Sequence, residues 1–97
     1  ERLQMADNIK GTTRTGFKFS IDKNELDSWE LIEDIYDCDN GKPFKIVSVM
    51  RRILGVEQLD ALKKHLSKDG ERIPAQAMRE QLDDILAADN KDEELKN

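Results

Sequence analysis

The sequence predicts a mainly α domain: a small bundle of about four short helices with one N-terminal β-strand or hairpin partner strand. Three observations carry this. From Glu25 onward apolar residues recur at helical spacing. Only "GFKFSID", residues 16–22, alternates with period two. The connections, "DNGKP", Gly55 and "SKDG", are short and rich in helix-stopping residues.

The chain of 97 residues suits one compact domain, and 37% hydrophobic against 38% charged residues leaves only a thin core. A net charge of -5 opposes non-specific binding to nucleic acid, which needs a basic patch to displace counterions. No apolar run is long enough to span a bilayer, and no basic-then-apolar leader is visible. A single cysteine, Cys38, allows no intrachain disulfide. The expected location is therefore the cytoplasm, with Cys38 a reduced, partly buried thiol. "ERLQ" at the start reads as added residues or the edge of a fragment and carries no fold inference.

Residues 1–15 show no sustained period and end in the polar run "GTTRTG", which predicts a flexible arm. In the strand, Phe17, Phe19 and Ile21 share one face; Lys18, Ser20 and Asp22 share the other. A lone strand cannot satisfy its own backbone, so it must pair within the chain, pair with a second copy to give a homo-oligomer, or lie across helices. In the first helix Leu26, Trp29, Ile32 and Tyr36 form the expected core stripe, widened by Leu31 and Ile35. Asn24 or Asp27 is the expected cap, and Asp27, Glu30, Glu33, Asp34 and Asp37 the expected solvent face. "DNG" ends that helix and Pro43 starts the next, striped by Ile46, Val49, Met50 and Ile53. Lys45, Arg51 and Arg52 place its charge opposite the acids of the first. Gly55 breaks it. Leu59, Leu62 and Leu66 mark a third helix, with Asp60 and Lys64 as a favourable pair. Ile73-Pro74 opens a fourth, lined by Met78, Leu82, Ile85 and Leu86. Residues 16–88 thus form one helical domain, and 89–97 a charged, flexible tail.

The densest polar stretch, "YDCDNGKPF", fails as a calcium loop. Such a loop needs oxygen ligands at positions one, three and five, glycine at six and glutamate at twelve. With Gly41 at six, Tyr36 falls at one; with Asp37 at one, Lys42 falls at six and Ser48 at twelve. It reads as a helix stop followed by a proline start. The lone His65 is a boundary residue near a helix end, and the glycines are too scattered for a phosphate loop. No catalytic, cofactor or metal site is recognisable, so the expectation is a protein that is not an enzyme. "SVMRRILGVEQLDALKKHL" has a loose helix-turn-helix outline, but Glu57 and Asp60 would face phosphates. A small DNA-binding transcriptional regulator is therefore the alternative, not the first reading.

The order of four pieces carries a resemblance: an extended "GFKFSID", an acidic "LDSWELIEDI", then "VSVMRRILGVEQLDALKKHL", then "DGERIPAQAMREQLDDIL". Residues 17–86 resemble the tail assembly chaperones of long-tailed phages and prophages of Gram-positive bacteria, in their short, non-frameshifted form. The N-terminal arm is not matched, and "YDCDNGKPF" falls where the family varies. The resemblance implies a non-catalytic viral protein that binds the tape-measure protein and keeps it soluble during tail morphogenesis in the host bacterial cytoplasm. It also implies contact with the tail-tube protein through a longer frameshifted form. A structural tail component is a further alternative. Candidate partner-contact residues are Phe17, Phe19, Trp29, Phe44, Met50 and Met78, because aromatics and methionines suit adaptable binding surfaces. Each also reads as core, and Phe17 and Phe19 are the first choices because a solitary strand seeks a partner.

Overall fold

The computed structural model describes residues 8–96, with side chains as far as Asp89. Strand β1 (Asn8–Thr12) pairs antiparallel with β2 (Lys18–Asp22). A single helical turn, α1 (Lys23–Leu26), precedes α2 (Trp29–Asp39). Then come α3 (Ile46–Leu66), broken at Gly55, and α4 (Ala75–Lys96). The fold is mainly α, with four helices and a two-stranded sheet among the described residues.

The expected arm is corrected at residues 8–12, which form β1. Ile9 lies opposite Ile21 and Gly11 opposite Phe19, so the pairing puts apolar groups of both strands on one face. The Phe19 ring lies over Gly11, where an added Cβ would come within 2.7 Å of it. The hairpin closes through Thr13, whose N–H donates to the Phe17 carbonyl at 2.9 Å, with Gly16 at φ 93°. The loop is fastened to the helices. Arg14 grips the Asp84 carboxylate through its backbone N–H (2.8 Å) and two guanidinium nitrogens (both 3.0 Å). His65 Nε2 donates to the Thr15 carbonyl at 3.0 Å, and Thr15 Oγ1 donates to the buried Gln81.

β2 needs no second copy of the chain. On the edge away from β1, Ser20 N–H donates to Gln58 Oε1 at 2.8 Å, and Gln58 Nε2 donates to the Ser20 carbonyl at 2.7 Å. One side-chain amide thus stands in for a neighbouring strand. Replacing Gln58 with Ala leaves both Ser20 groups without that partner. The expected loss in unfolding free energy is about 1–3 kcal/mol, measured by urea denaturation.

The expected helix from Glu25 is corrected to two pieces. Asp22 caps α1, and Ser28 caps α2 by accepting from the Leu31 N–H at 3.2 Å. The second cap resets the helix phase, so Leu26 does not share a face with Trp29. The core stripe is accordingly not Trp29, Ile32 and Tyr36, which face solvent; it is Leu31, Asp34 and half-buried Ile35. Asp34, expected in solvent, is buried against α3. It accepts from Ser48 Oγ at 2.6 Å and Arg52 Nε at 3.1 Å, with Lys45 Nζ at 3.5 Å. Arg52 also approaches Glu25 at 3.8 Å. The expected attraction between these helices is therefore made by Lys45 and Arg52, while Arg51 has no ion pair among the described residues. The Asp60–Lys64 pair does not form either.

The Ser48 hydrogen bond does most to hold the Asp34 carboxyl below its ordinary value. Burial pushes the other way, and Arg52 and Lys45 add to the lowering. A carboxylate depressed in the folded state stabilises it fully above its unfolded value, near 3.8, and this is lost as pH falls below that value. The melting temperature should therefore drop on acidification below this point, and Asp34→Asn should flatten that part of the curve. Circular dichroism melts across pH check this; an Asn variant that falls as steeply as the parent rejects the assignment.

The core joins Ile9, Phe19 and Ile21 of the sheet to Leu31, Val49, Met50, Ile53, Leu62, Leu82 and Ile85 of the helices. α4 continues past the expected limit at 88 and runs through Lys96, so the helical backbone takes in most of the expected tail.

Candidate apolar groove at the Gly55 break

The six candidate contact residues separate by environment. Phe17, Phe19 and Met50 are core. Their burial follows from the β1 pairing and the closure of the helices over the sheet, so the solitary-strand argument for Phe17 and Phe19 is removed. Trp29 and Phe44 are 68% and 67% exposed, and Met78 is half-buried.

Met78 and one edge of Met50 belong to a groove of about 400 Å³ between the two segments of α3 and the start of α4. The sequence positions each wall. Gly55 takes φ 77° and ψ 170°, a conformation almost confined to glycine. It turns the chain between Leu54 and Val56, so Ile46, Val47 and Met50 lie on one side and Val56 and Leu59 on the other. After α3, Ser67 caps the helix, and Asp69 and Gly70 at positive φ redirect the chain. Ile73 and Pro74 then enter as the third wall. Pro74 cannot continue a preceding helix, and its carbonyl accepts from Ala77 at 3.0 Å to open α4.

The rim carries Arg51, Lys63 and Asp60. Neither cation has an ion pair among the described residues, so both remain available to an incoming acid. A shallower depression of Phe44, Lys45, Val47, Ser48, Arg51 and Arg52 shares Val47 and Arg51 with the groove. The apolar surface therefore continues from Phe44 to Val56, which is 71% exposed. Sequence reasoning found Phe44, Met50 and Met78 but missed Val47, Val56, Leu59, Ile73 and Pro74. Val56 directly after a helix-breaking glycine, one turn before Leu59, was the available signal.

The other polar constellations have local structural roles. In residues 36–44 the acids diverge: Asp37 faces Lys45 at 4.0 Å, and Asp39 pairs with Arg79 at 2.8 Å. Asn40 Nδ2 donates to the Tyr36 carbonyl at 2.8 Å, completing the helix stop. Arg79 also holds Asp83 at 3.0 Å, and these two carboxylates raise its pKa. The Cys38 thiol points to the Pro43 carbonyl at 3.6 Å. Among the described residues no three His, Cys, Asp or Glu side chains gather as a metal site, and no helix is long and apolar enough to cross a membrane. The break in α3 is a single residue, not the three- or four-residue turn of a helix-turn-helix.

No protein-family model, curated protein or solved structure matches the chain.

Proposed function

We propose that this protein is a tail assembly chaperone that binds the tape-measure protein without catalysis and keeps it soluble in the host bacterial cytoplasm. The observation that supports this reading is the open apolar groove at Gly55, walled by Val47, Met50, Val56, Leu59, Ile73 and Met78. Such a groove takes the apolar face of an amphipathic helix through residues spaced by one helical turn. The half-buried methionine at its wall adapts to differing side chains. Arg51 and Lys63 on the rim favour a helix that carries acids beside its apolar face. A small molecule is a poorer occupant, because such pockets orient their ligand with several converging polar groups. The tail-tube protein would be met through a longer frameshifted form.

The test is co-expression with a helical tape-measure fragment encoded next to it. The parent protein should carry the fragment into the soluble fraction. Val56→Asp with Met78→Glu sets charge against an apolar face and should reduce that yield by about tenfold or more, as loss of a central contact does. A fragment that precipitates equally with and without the parent protein rejects the reading.

A further inference from the structure

A second apolar surface lies outside the groove. Trp29, Ile32 and Tyr36 stand at i, i+3 and i+7 on the outer face of α2, at 68%, 48% and 65% exposure. The opposite face of the same helix supplies Leu31 and Asp34 to the interior, so the outer row plays no part in closing the core. The row spans about 10 Å along the axis, or two helical turns. Two aromatic residues so exposed on a chain with 5% aromatics are the composition of a contact centre.

Charge beside the row specifies what covers it. Glu33 lies one turn beyond Trp29, and Glu30 on the same flank. Both are exposed, and neither has an ion pair among the described residues. On the other flank Asp39 is already held by Arg79. The surface is therefore apolar, bordered on one side by Glu30 and Glu33, which have no ion pair among the described residues, and by Asp37 between them around the helix, which faces Lys45 at 4.0 Å. We propose that the outer face of α2 docks a basic amphipathic helix of a partner protein. Its apolar residues cover Trp29, Ile32 and Tyr36, and its Lys or Arg residues meet Glu30 and Glu33.

Other occupants fit less well. Pairing this face with itself across a two-fold axis sets glutamates against glutamates when the two helices run antiparallel. Nucleic acid and anionic lipid are repelled by the same acids. Residues 1–7, "ERLQMAD", and 90–97, "NKDEELKN", each carry more acids than bases. The partner here is opposite in charge preference to the one that suits the basic rim of the groove, so the two surfaces are independent.

Trp29 is the only tryptophan, so its fluorescence reports this face directly. The probes are two synthetic peptides of about 18 residues, long enough to be helical alone. Both have leucines at i, i+3, i+4 and i+7; one has lysine elsewhere and the other glutamate. The lysine peptide should shift Trp29 emission to the blue and bind at least tenfold tighter than the glutamate peptide. Raising salt should weaken it. Glu30→Lys with Glu33→Lys should reverse the preference, while the same charge change at Glu57 and Glu71 should leave binding within twofold. By calorimetry, Trp29→Ala should lose binding at unchanged helical circular dichroism, and Val56→Asp in the groove should keep it. Equal binding of both peptides, an unmoved emission, or loss on the groove variant alone overturns the proposal. An emission that shifts with protein concentration alone assigns the face to a second copy and overturns it as well.

Discussion

Leu31→Ala is expected to lower the unfolding free energy by about 2–5 kcal/mol, while Trp29→Ala, two residues away, should change it by no more than about 0.5 kcal/mol. Leu31 is 1% exposed and is the fully buried apolar residue of α2; half-buried Ile35 is its neighbour on that face. Truncating it removes transfer free energy and leaves a cavity between α2 and the body of the protein. Trp29 is the larger side chain, but at 68% exposure it has little surface to lose. A ranking by residue size gives the opposite order, as does the apolar stripe read from the sequence. Urea titrations of both variants decide between them. If Trp29→Ala is the more damaging, the helix phase set by Ser28 is wrong.

Gly55→Ala is expected to cost about 1–3 kcal/mol and to flatten the groove. At φ 77° and ψ 170° an L-alanine is strained by its own backbone. An added Cβ meets nothing within 4 Å, so crowding does not contribute. The strain has a ready escape. Alanine is the best helix former, and residues on both sides are already helical. Straightening α3 relieves position 55 but swings Val56 and Leu59 away from Val47 and Met50. The variant should therefore lose melting temperature and, under the proposed function, lower the yield of soluble tape-measure fragment. D-alanine at 55, introduced by chemical synthesis, prefers positive φ and should restore both. If L-alanine leaves melting temperature and yield unchanged, the break does not shape the groove.

The two predictions fall on the two sides of what could be read in advance. Gly55 as a helix break was plain from its place between two apolar stripes. So were the stops at Asn40–Gly41 and Ser67–Gly70 and the start at Pro74, because each uses a residue whose backbone preference is intrinsic. The identity of the groove walls was only half visible. Met78 belongs to a periodic stripe, whereas Ile73, Pro74 and Val56 come together from segments that no local pattern connects. The β1 strand was missed because "NIKGT" is short and has Gly11 where a side chain would have signalled alternation. That glycine is needed to admit the Phe19 ring, a reason lying entirely in the partner strand.

By itself the sequence determined the mainly α class and the places where the chain stops or restarts a helix at Asn40–Gly41, Pro43, Gly55, Ser67–Gly70 and Pro74. These depend on local backbone energetics: glycine at positive φ, proline without an N–H, and apolar residues at helical spacing. Tertiary structure alone decided which face of α2 is buried, that Asp34 sits inside with Ser48, Arg52 and Lys45, and that Gln58 closes the edge of β2. An apolar stripe shows that a helix has a face to cover, but not whether this chain or another covers it. That choice follows from the phase fixed by one Ser28 cap and from the shape of the core the other elements have already filled.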